Sequence, residues 1–403
     1  MNDLLFLSQR IPYPPNKGDK IRSYHILQHL LKTHRVHLGC FFDDPEDEKY
    51  IEPLRKLCAS VNCQFIGRPQ KLMRSAKALM AGTSLSEAVF FDRGMSRWVE
   101  QAIAEHRIGK MFVFCSSMAP YAICAKGQKV IDIVDVDSEK WQAYAAAGGP
   151  LMRAIYAREG RTLFSLERRA AREFDTALFV SKAEADLFVR LAPETSGHVQ
   201  FMNNGVDAGY FDPQGQFLSP FGLNRSAVVF TGMMNYRPNI EAVQWFVQTI
   251  LPRLRTAHSE VEFWIVGAQP TPAVIELGKE TGVRVTGAVD DVRPYLAHAR
   301  CVVAPLQIAR GVQNKVLEAL AMAKPVVATS QACEGIDLQN GKNILVADAA
   351  LEFAEAVLSV LSGAHNEIGP NGRALVELNY RWTHNLEVLD RLFPQTNAAE
   401  KKT

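Results

Sequence analysis

The chain has 403 residues, of which 47% are hydrophobic and 22% charged, with a formal charge of +2. That balance excludes a disordered chain and a strongly basic nucleic-acid binder, and the length exceeds what one hydrophobic core usually serves, which predicts two domains. No run of about 20 apolar residues occurs, so membrane contact is expected to be peripheral, and seven scattered cysteines without a Cys-x-x-Cys pair fit a reducing cytoplasm rather than a metal or redox site.

The opening MNDLLFLSQRIPYPP lacks a basic n-region and a cleavage site, and reads as a first strand at Leu4 to Ser8. It runs into PYPPNKGDKIRSYHILQHLL, where three prolines stiffen a loop and Gly18 precedes a helix with Asp19 as a plausible N-cap. Gly18 would let backbone approach a phosphate or sugar, and Lys17, Lys20 and Arg22 add positive charge beside a helix N-terminus. A tight turn with solvated charges is the alternative. His25 and His29 lie four apart on this helix but lack a third metal ligand, so a solvated face is the simpler reading.

Short runs rich in Val, Ile and Phe, separated by helix-length amphipathic stretches, predict parallel α/β sheets in two sets. The first set is Leu4 to Ser8, Val36 to Phe42, MFVFCS, KVIDIVDV, TALFVS and VQFMNNG. The second is AVVFTG, VEFWIVG, VRVTGAV, CVVAPL, PVVATS and ILVA. Between them, Val206 to Gly222 is rich in Gly and Pro, as a connection should be. The expected domains are therefore 1–210 and 211–375, followed in 376–403 by a helix at Asn379 to Phe393 returning to the first domain and a frayed tail.

Within the first domain, Lys71 to Gly82 and Arg153 to Arg172 are basic amphipathic stretches, the latter with six Arg against two Glu. They read as docking surfaces for anionic lipid or as solvated helices. KVIDIVDVDSEKW ends a strand with Asp132, Asp135, Asp137 and Ser138; Asp135 or Asp137 would orient an acceptor hydroxyl or accept its proton, or these are turn-forming acids.

The second domain opens as strand, loop and helix: Gly232 ends the strand and Arg237 stands where a guanidinium could pair with a diphosphate, or is a surface charge. Cys301 to Ile336 is the most informative stretch. Its strand ends near Pro305, and Gly311 lies before a helix that holds Lys315 and Glu318. Glu318 could accept hydrogen bonds from the vicinal hydroxyls of a ribose, while Arg310, Lys315 and the backbone after Gly311 could hold a diphosphate. Glu318 as an exposed helix charge is the other reading.

The Gly18 loop, VSKAEADLF, NNGVDAGYF, FTGMMNYRPN, FWIVG, VTGAVDDVRPYLAHA and KVLEALAMAKPVVAT, in this order over almost the whole chain, resemble the retaining glycosyltransferases of family 4, notably the subgroup associated with bacterial exopolysaccharide biosynthesis. The resemblance implies an α/β, GT-B fold of two facing Rossmann-like domains with a central cleft. It implies a nucleotide-diphosphate sugar donor, a saccharide or polyisoprenyl-linked acceptor, no cofactor or metal, and a place in the cytoplasm at the inner face of the membrane. Glu318 matches the second Glu of the family's paired-glutamate motif and would bind the ribose; the loop Gly287 to Asp291, with Val289, would sit by the base. The chain departs from the family where Arg310 replaces the first Glu, where Met233 and Asn239 stand in place of an Arg and a Lys, and where no His follows the fifth strand. Competing classes are a nucleotide-sugar epimerase of the same fold, a catalytically silent sugar-binding protein, and a dehydrogenase, for which no G-x-G-x-x-G turn is present.

Overall fold

A computed structural model describes residues 2–394 except 16–17, 148, 223–225 and 310. The chain divides into two compact units, one formed by residues 1–203 with 386–403 and the other by 204–385.

The first unit holds a seven-stranded sheet in the order β3-β2-β1-β4-β5-β6-β7. Its strands are β1 (Asn2–Ser8), β2 (His34–Phe42), β3 (Ser60–Phe65), β4 (Lys110–Phe114), β5 (Gln128–Val134), β6 (Thr176–Phe179) and β7 (Val199–Phe201), and every pairing is parallel. The central strands are buried on both faces: Leu4 to Leu7 and Met111 to Val113 are inaccessible to solvent. This is the property that made their apolar runs continuous rather than alternating.

The second unit holds a six-stranded parallel sheet in the order β10-β9-β8-β11-β12-β13. These are β8 (Ala227–Thr231), β9 (Glu262–Val266), β10 (Val283–Gly287), β11 (Cys301–Ala304), β12 (Val326–Ala328) and β13 (Leu345–Val346). Both sheets reverse strand order beside their first strand, between β1 and β4 and between β8 and β11, and a sheet of this kind gathers its ligands outside the carboxyl ends at such a point.

Three expectations are corrected. The boundary placed at 210 falls at 203, because Val206, Ala208 and Phe211 pack into the second unit's core and Val206 N–H donates to the Tyr380 carbonyl at 2.7 Å. The helix expected over 379–393 is two pieces, Trp382–Asn385 and Glu387–Leu392, and Asn379 instead ends a preceding helix, Ile368–Asn379. It breaks where the backbone of Tyr380 and Arg381 turns to meet Val206. Only the last piece and the residues around it return to the first unit: Leu389 and Phe393 are buried there, and Lys110 Nζ donates to the Pro394 carbonyl at 2.8 Å. The tail expected to fray lies outside the described residues. Strand β3 was not foreseen; its residues Ser60, Asn62 and Gln64 interrupt the apolar run because it is an edge strand that is only half-buried.

Candidate functional site

In the second unit the loops after β8, β9 and β10 lie backbone against backbone. Gly232 N–H donates to the Val266 carbonyl at 3.0 Å and Gly267 N–H to the Gly287 carbonyl at 3.2 Å. Glycine is required at Gly267: its φ is +150°, and a Cβ there would stand 1.8 Å from the Gly232 oxygen. A Cβ on Gly232, at φ +157°, would lie 2.7 Å from Asn239 Nδ2 and 3.1 Å from Lys315 Nζ.

Lys315 therefore sits directly over the Gly232 turn. It lies in the first turn of the helix Asn314–Ala321, reached from β11 through Gly311, whose φ of +69° turns the chain into the helix. Its Nζ donates to Asn239 Oδ1 at 2.6 Å and lies 4.2 Å from the centre of the Phe230 ring. Burial pulls this ammonium down to about 7, against the opposing pull of Glu318. One turn further along, burial pushes the Glu318 carboxyl up to about 7, countered by Lys315. Among the described residues the Glu318 carboxylate makes no hydrogen bond and no ion pair within 4 Å. A poorly solvated cation beside a glycine turn, with an acceptor one helical turn away, offers partners complementary to a group bearing both anionic oxygens and hydroxyls.

Asn314 Oδ1, at the same helix end, accepts from Asn204 Nδ2 at 3.3 Å. Beside it, Gly287 turns with φ +70°, Val289 packs on the core, and Asp291 is held on both oxygens by Arg293, which also lies 3.7 Å from the centre of the half-exposed Tyr210 ring. Tyr210 escaped sequence reasoning, and Asn239 entered it only as a departure from the family pattern. The signal for Asn239 was its place where the resemblance expects a lysine: here Lys315 supplies the ammonium and Asn239 holds it.

Two expected diphosphate cations do not join this group. Arg237 is largely exposed and pairs with Glu241 at 2.6 Å, four residues along its own helix. Arg22 is the larger correction. It is buried in the first unit, where its guanidinium binds both oxygens of the equally buried Asp132 at 2.7 and 3.1 Å. Lys20 is likewise buried on Asp47 at 2.7 Å, so these two charges near Gly18 serve the unit's interior. Gly18 itself is the exposed first residue of the helix Gly18–Leu31, and Asp19 pairs with Arg10. Lys17 and Arg310 lie outside the described residues. His29 bonds Asp390 at 2.8 Å.

The carboxyl end of β5 gathers acids. Val134 adopts φ +76°, a costly conformation for a β-branched residue, at a register shift between β5 and β6. Glu184 accepts from Val136 N–H at 2.8 Å, and Glu167 accepts from the Ser138 hydroxyl at 2.6 Å. These two carboxylates fix the turn, and Asp135 and Asp137 project from it. Asp135 Oδ1 is buried with no hydrogen-bond partner, and burial, with repulsion from Asp137 and Glu184, pushes its carboxyl up to about 7. Burial raises Asp137 too, against Lys140. Immediately along the chain, Trp141, Tyr144 and Tyr156 form a half-buried aromatic trio with ring centres 5.4 to 6.1 Å apart.

Residues 225–363 match the family described as group 1 glycosyl transferases. A Klebsiella pneumoniae protein described as an uncharacterized 44.6 kDa protein in the cps region is 22% identical over 405 residues, covering 94% of this chain and 97% of that protein. Among solved structures the chain is similar to HepE of Anabaena in complex with UDP and glucose, with a TM-score of 0.68 and 15% identity over 97% of this chain and 99% of that one. It is similar to sucrose-phosphate synthase from Thermosynechococcus elongatus, with a TM-score of 0.72 and 15% identity over 98% and 99%. WaaG, a glycosyltransferase involved in lipopolysaccharide biosynthesis, matches with a TM-score of 0.66 and 15% identity over 97% and 100%. At such identities the likeness shows the fold, which is α/β and of the GT-B type with two Rossmann-like sheets.

Proposed function

We propose that this chain, whose residues 225–363 match the group 1 glycosyl transferases, moves a sugar from a nucleotide-diphosphate donor to a saccharide or polyisoprenyl-linked acceptor in exopolysaccharide synthesis, with retention of anomeric configuration. The observation that carries the reading is the pairing of Lys315, poised over the Gly232 turn, with the Glu318 carboxylate. Lys315 and the first-turn N–H groups of its helix take the diphosphate, Glu318 takes the ribose hydroxyls, and the Gly287 to Asp291 loop borders the base. Anabaena HepE is described in complex with UDP-glucose, which supports a donor of this class. The cps-region relative supports a polysaccharide product.

Cleavage of the sugar–phosphate bond places negative charge on the departing diphosphate, so stabilising that charge is the main catalytic demand. Lys315 meets it from a site with little competing water. In the first unit, Asp135 accepts the acceptor's hydroxyl proton, for which a carboxyl raised to about 7 is well matched, and the Trp141, Tyr144 and Tyr156 rings offer an apolar face to a pyranose. The enzyme works at the inner face of the cell membrane.

A thermal-shift screen of nucleotide sugars tests the donor class, since a ligand that binds the native state raises its stability. Glu318→Ala is expected to weaken nucleotide-sugar binding by about 1 to 3 kcal/mol, and unchanged affinity in a folded variant removes the ribose assignment. Consumption of donor without any acceptor would instead favour an epimerase.

Binding should also be linked to protons. A diphosphate stabilises the ammonium of Lys315 and lifts it above about 7, so the complex holds a proton that the free protein has partly lost. The contribution of Lys315 to the affinity for a nucleoside diphosphate is then fully present below pH 7 and falls as pH rises towards the bound-state value, whereas that of the Glu318 carboxylate, raised to about 7 in the free protein, grows as pH rises through that value. Calorimetric titration in two buffers of different ionisation enthalpy should show proton uptake near pH 8. Its persistence in Lys315→Met would assign it elsewhere.

A further inference from the structure

The helix Arg68–Ala81 is turned inside out. Lys71, Arg74, Ser75 and Ala78, spaced as one helical stripe, face the first unit, and among the described residues Ala78 is the one buried side chain of the fourteen. Polar contacts hold this face: Lys71 Nζ reaches Asp43 at 2.6 Å, Arg74 reaches Asp92 at 2.7 Å and the Val89 carbonyl at 2.8 Å, and Arg158 donates to the Ala78 carbonyl at 2.9 Å. The opposite stripe carries the large apolar side chains. Leu72 is 75% exposed, Met73 52%, Leu79 45% and Met80 82%. A helix on a water-facing surface has the reverse arrangement, and a contiguous exposed apolar patch marks a surface with a partner.

The charge pattern selects the partner. From Gly67 to Ser86 the chain has four cations and no acid. Lys71 and Arg74 are spent on the inner face, whereas Arg68 and Lys77 are exposed and, among the described residues, make no ion pair. At roughly 100° per residue these two fall on opposite margins of the apolar stripe. An apolar stripe flanked on both sides by cations is the pattern of a helix lying in the plane of a lipid surface, with its stripe among the acyl chains and its cations at anionic headgroups.

We propose that Leu72, Met73, Leu79 and Met80 insert into the interfacial layer of an anionic bilayer, with Arg68 and Lys77 at its phosphates. This gives the membrane contact proposed above a definite element and, of the two readings of Lys71 to Gly82, takes the lipid-docking one with the apolar stripe outward. It depends on the geometry of one helix and not on the donor site.

Co-sedimentation of the full chain with vesicles of phosphatidylcholine, alone or mixed with phosphatidylglycerol, tests it. Wild-type protein is expected to sediment with the mixed vesicles at physiological salt and to remain free of the neutral ones. Leu72→Gln/Met80→Gln should lower that partition at least about tenfold with melting temperature and nucleotide affinity unchanged. Arg68→Gln/Lys77→Gln should weaken it severalfold and flatten its salt dependence. Wild-type protein that ignores anionic vesicles overturns the proposal, as does a Leu72→Gln/Met80→Gln variant that binds them equally well. Conversion of a dimer to a monomer by that variant, without loss of vesicle binding, would assign the stripe to a second copy of the chain. Nucleotide affinity measured on the same samples keeps failure of the docking face distinct from failure of the donor site.

Discussion

Replacing Arg22 with alanine is expected to destabilise the first unit by about 3 to 5 kcal/mol, because it leaves the carboxylate of Asp132 buried with its partner gone. Burial already holds the Asp132 carboxyl above its usual range, with Arg22 pulling it back. Without Arg22 the folded-state value rises further above that of the unfolded chain. A carboxyl raised in this way costs stability progressively as pH climbs from its unfolded value towards its folded one, so the deficit should grow with pH over that window. Arg22→Met/Asp132→Leu should recover most of the loss, since removing both charges leaves neither unpaired. Urea unfolding of the three proteins decides the matter. A phosphate-binding Arg22 would give the opposite result, with stability intact and nucleotide affinity reduced.

Lys315→Met is the counterpart in the second unit, and its effect should appear in turnover rather than in the fold. Methionine matches the lysine side chain as far as Cε but removes the ammonium that lies over Phe230 and meets the leaving diphosphate. Loss of one preorganised stabilising group of this kind lowers turnover by about 10²- to 10³-fold. The melting temperature should move little, because the ammonium is already poorly solvated and, among the described residues, makes a single side-chain hydrogen bond, to Asn239. Single-turnover rates with saturating donor isolate the effect, and a parallel collapse of stability would assign Lys315 to the framework.

These two residues mark how far the sequence could be read. Each lies four residues after a glycine that leads into a helix, Gly18 or Gly311, and both were expected at a diphosphate. What separates them is a partner 110 residues away in one case and 76 in the other: Asp132 neutralises Arg22, whereas Asn239 carries no charge and leaves that of Lys315 intact. Spacing along a helix does not contain that information, since it arises only when the sheet brings distant strands together. The strands themselves were legible because burial on both faces leaves a continuous apolar run, and β3 was missed where that condition fails. The outward turn of Leu72 and Met80 was also hidden, because periodicity shows that a helix has two faces without showing which one meets the protein.

The first unit is not contiguous in sequence. Its core is completed by Leu389 and Phe393, which follow the whole of the second unit. During synthesis, residues 1–203 must therefore wait on the ribosome with an unfilled apolar groove until some 180 further residues have emerged. Nascent chains halted before Leu386 should be prone to chaperone capture, because the side chains that close this core from the far side of the second unit are missing from them.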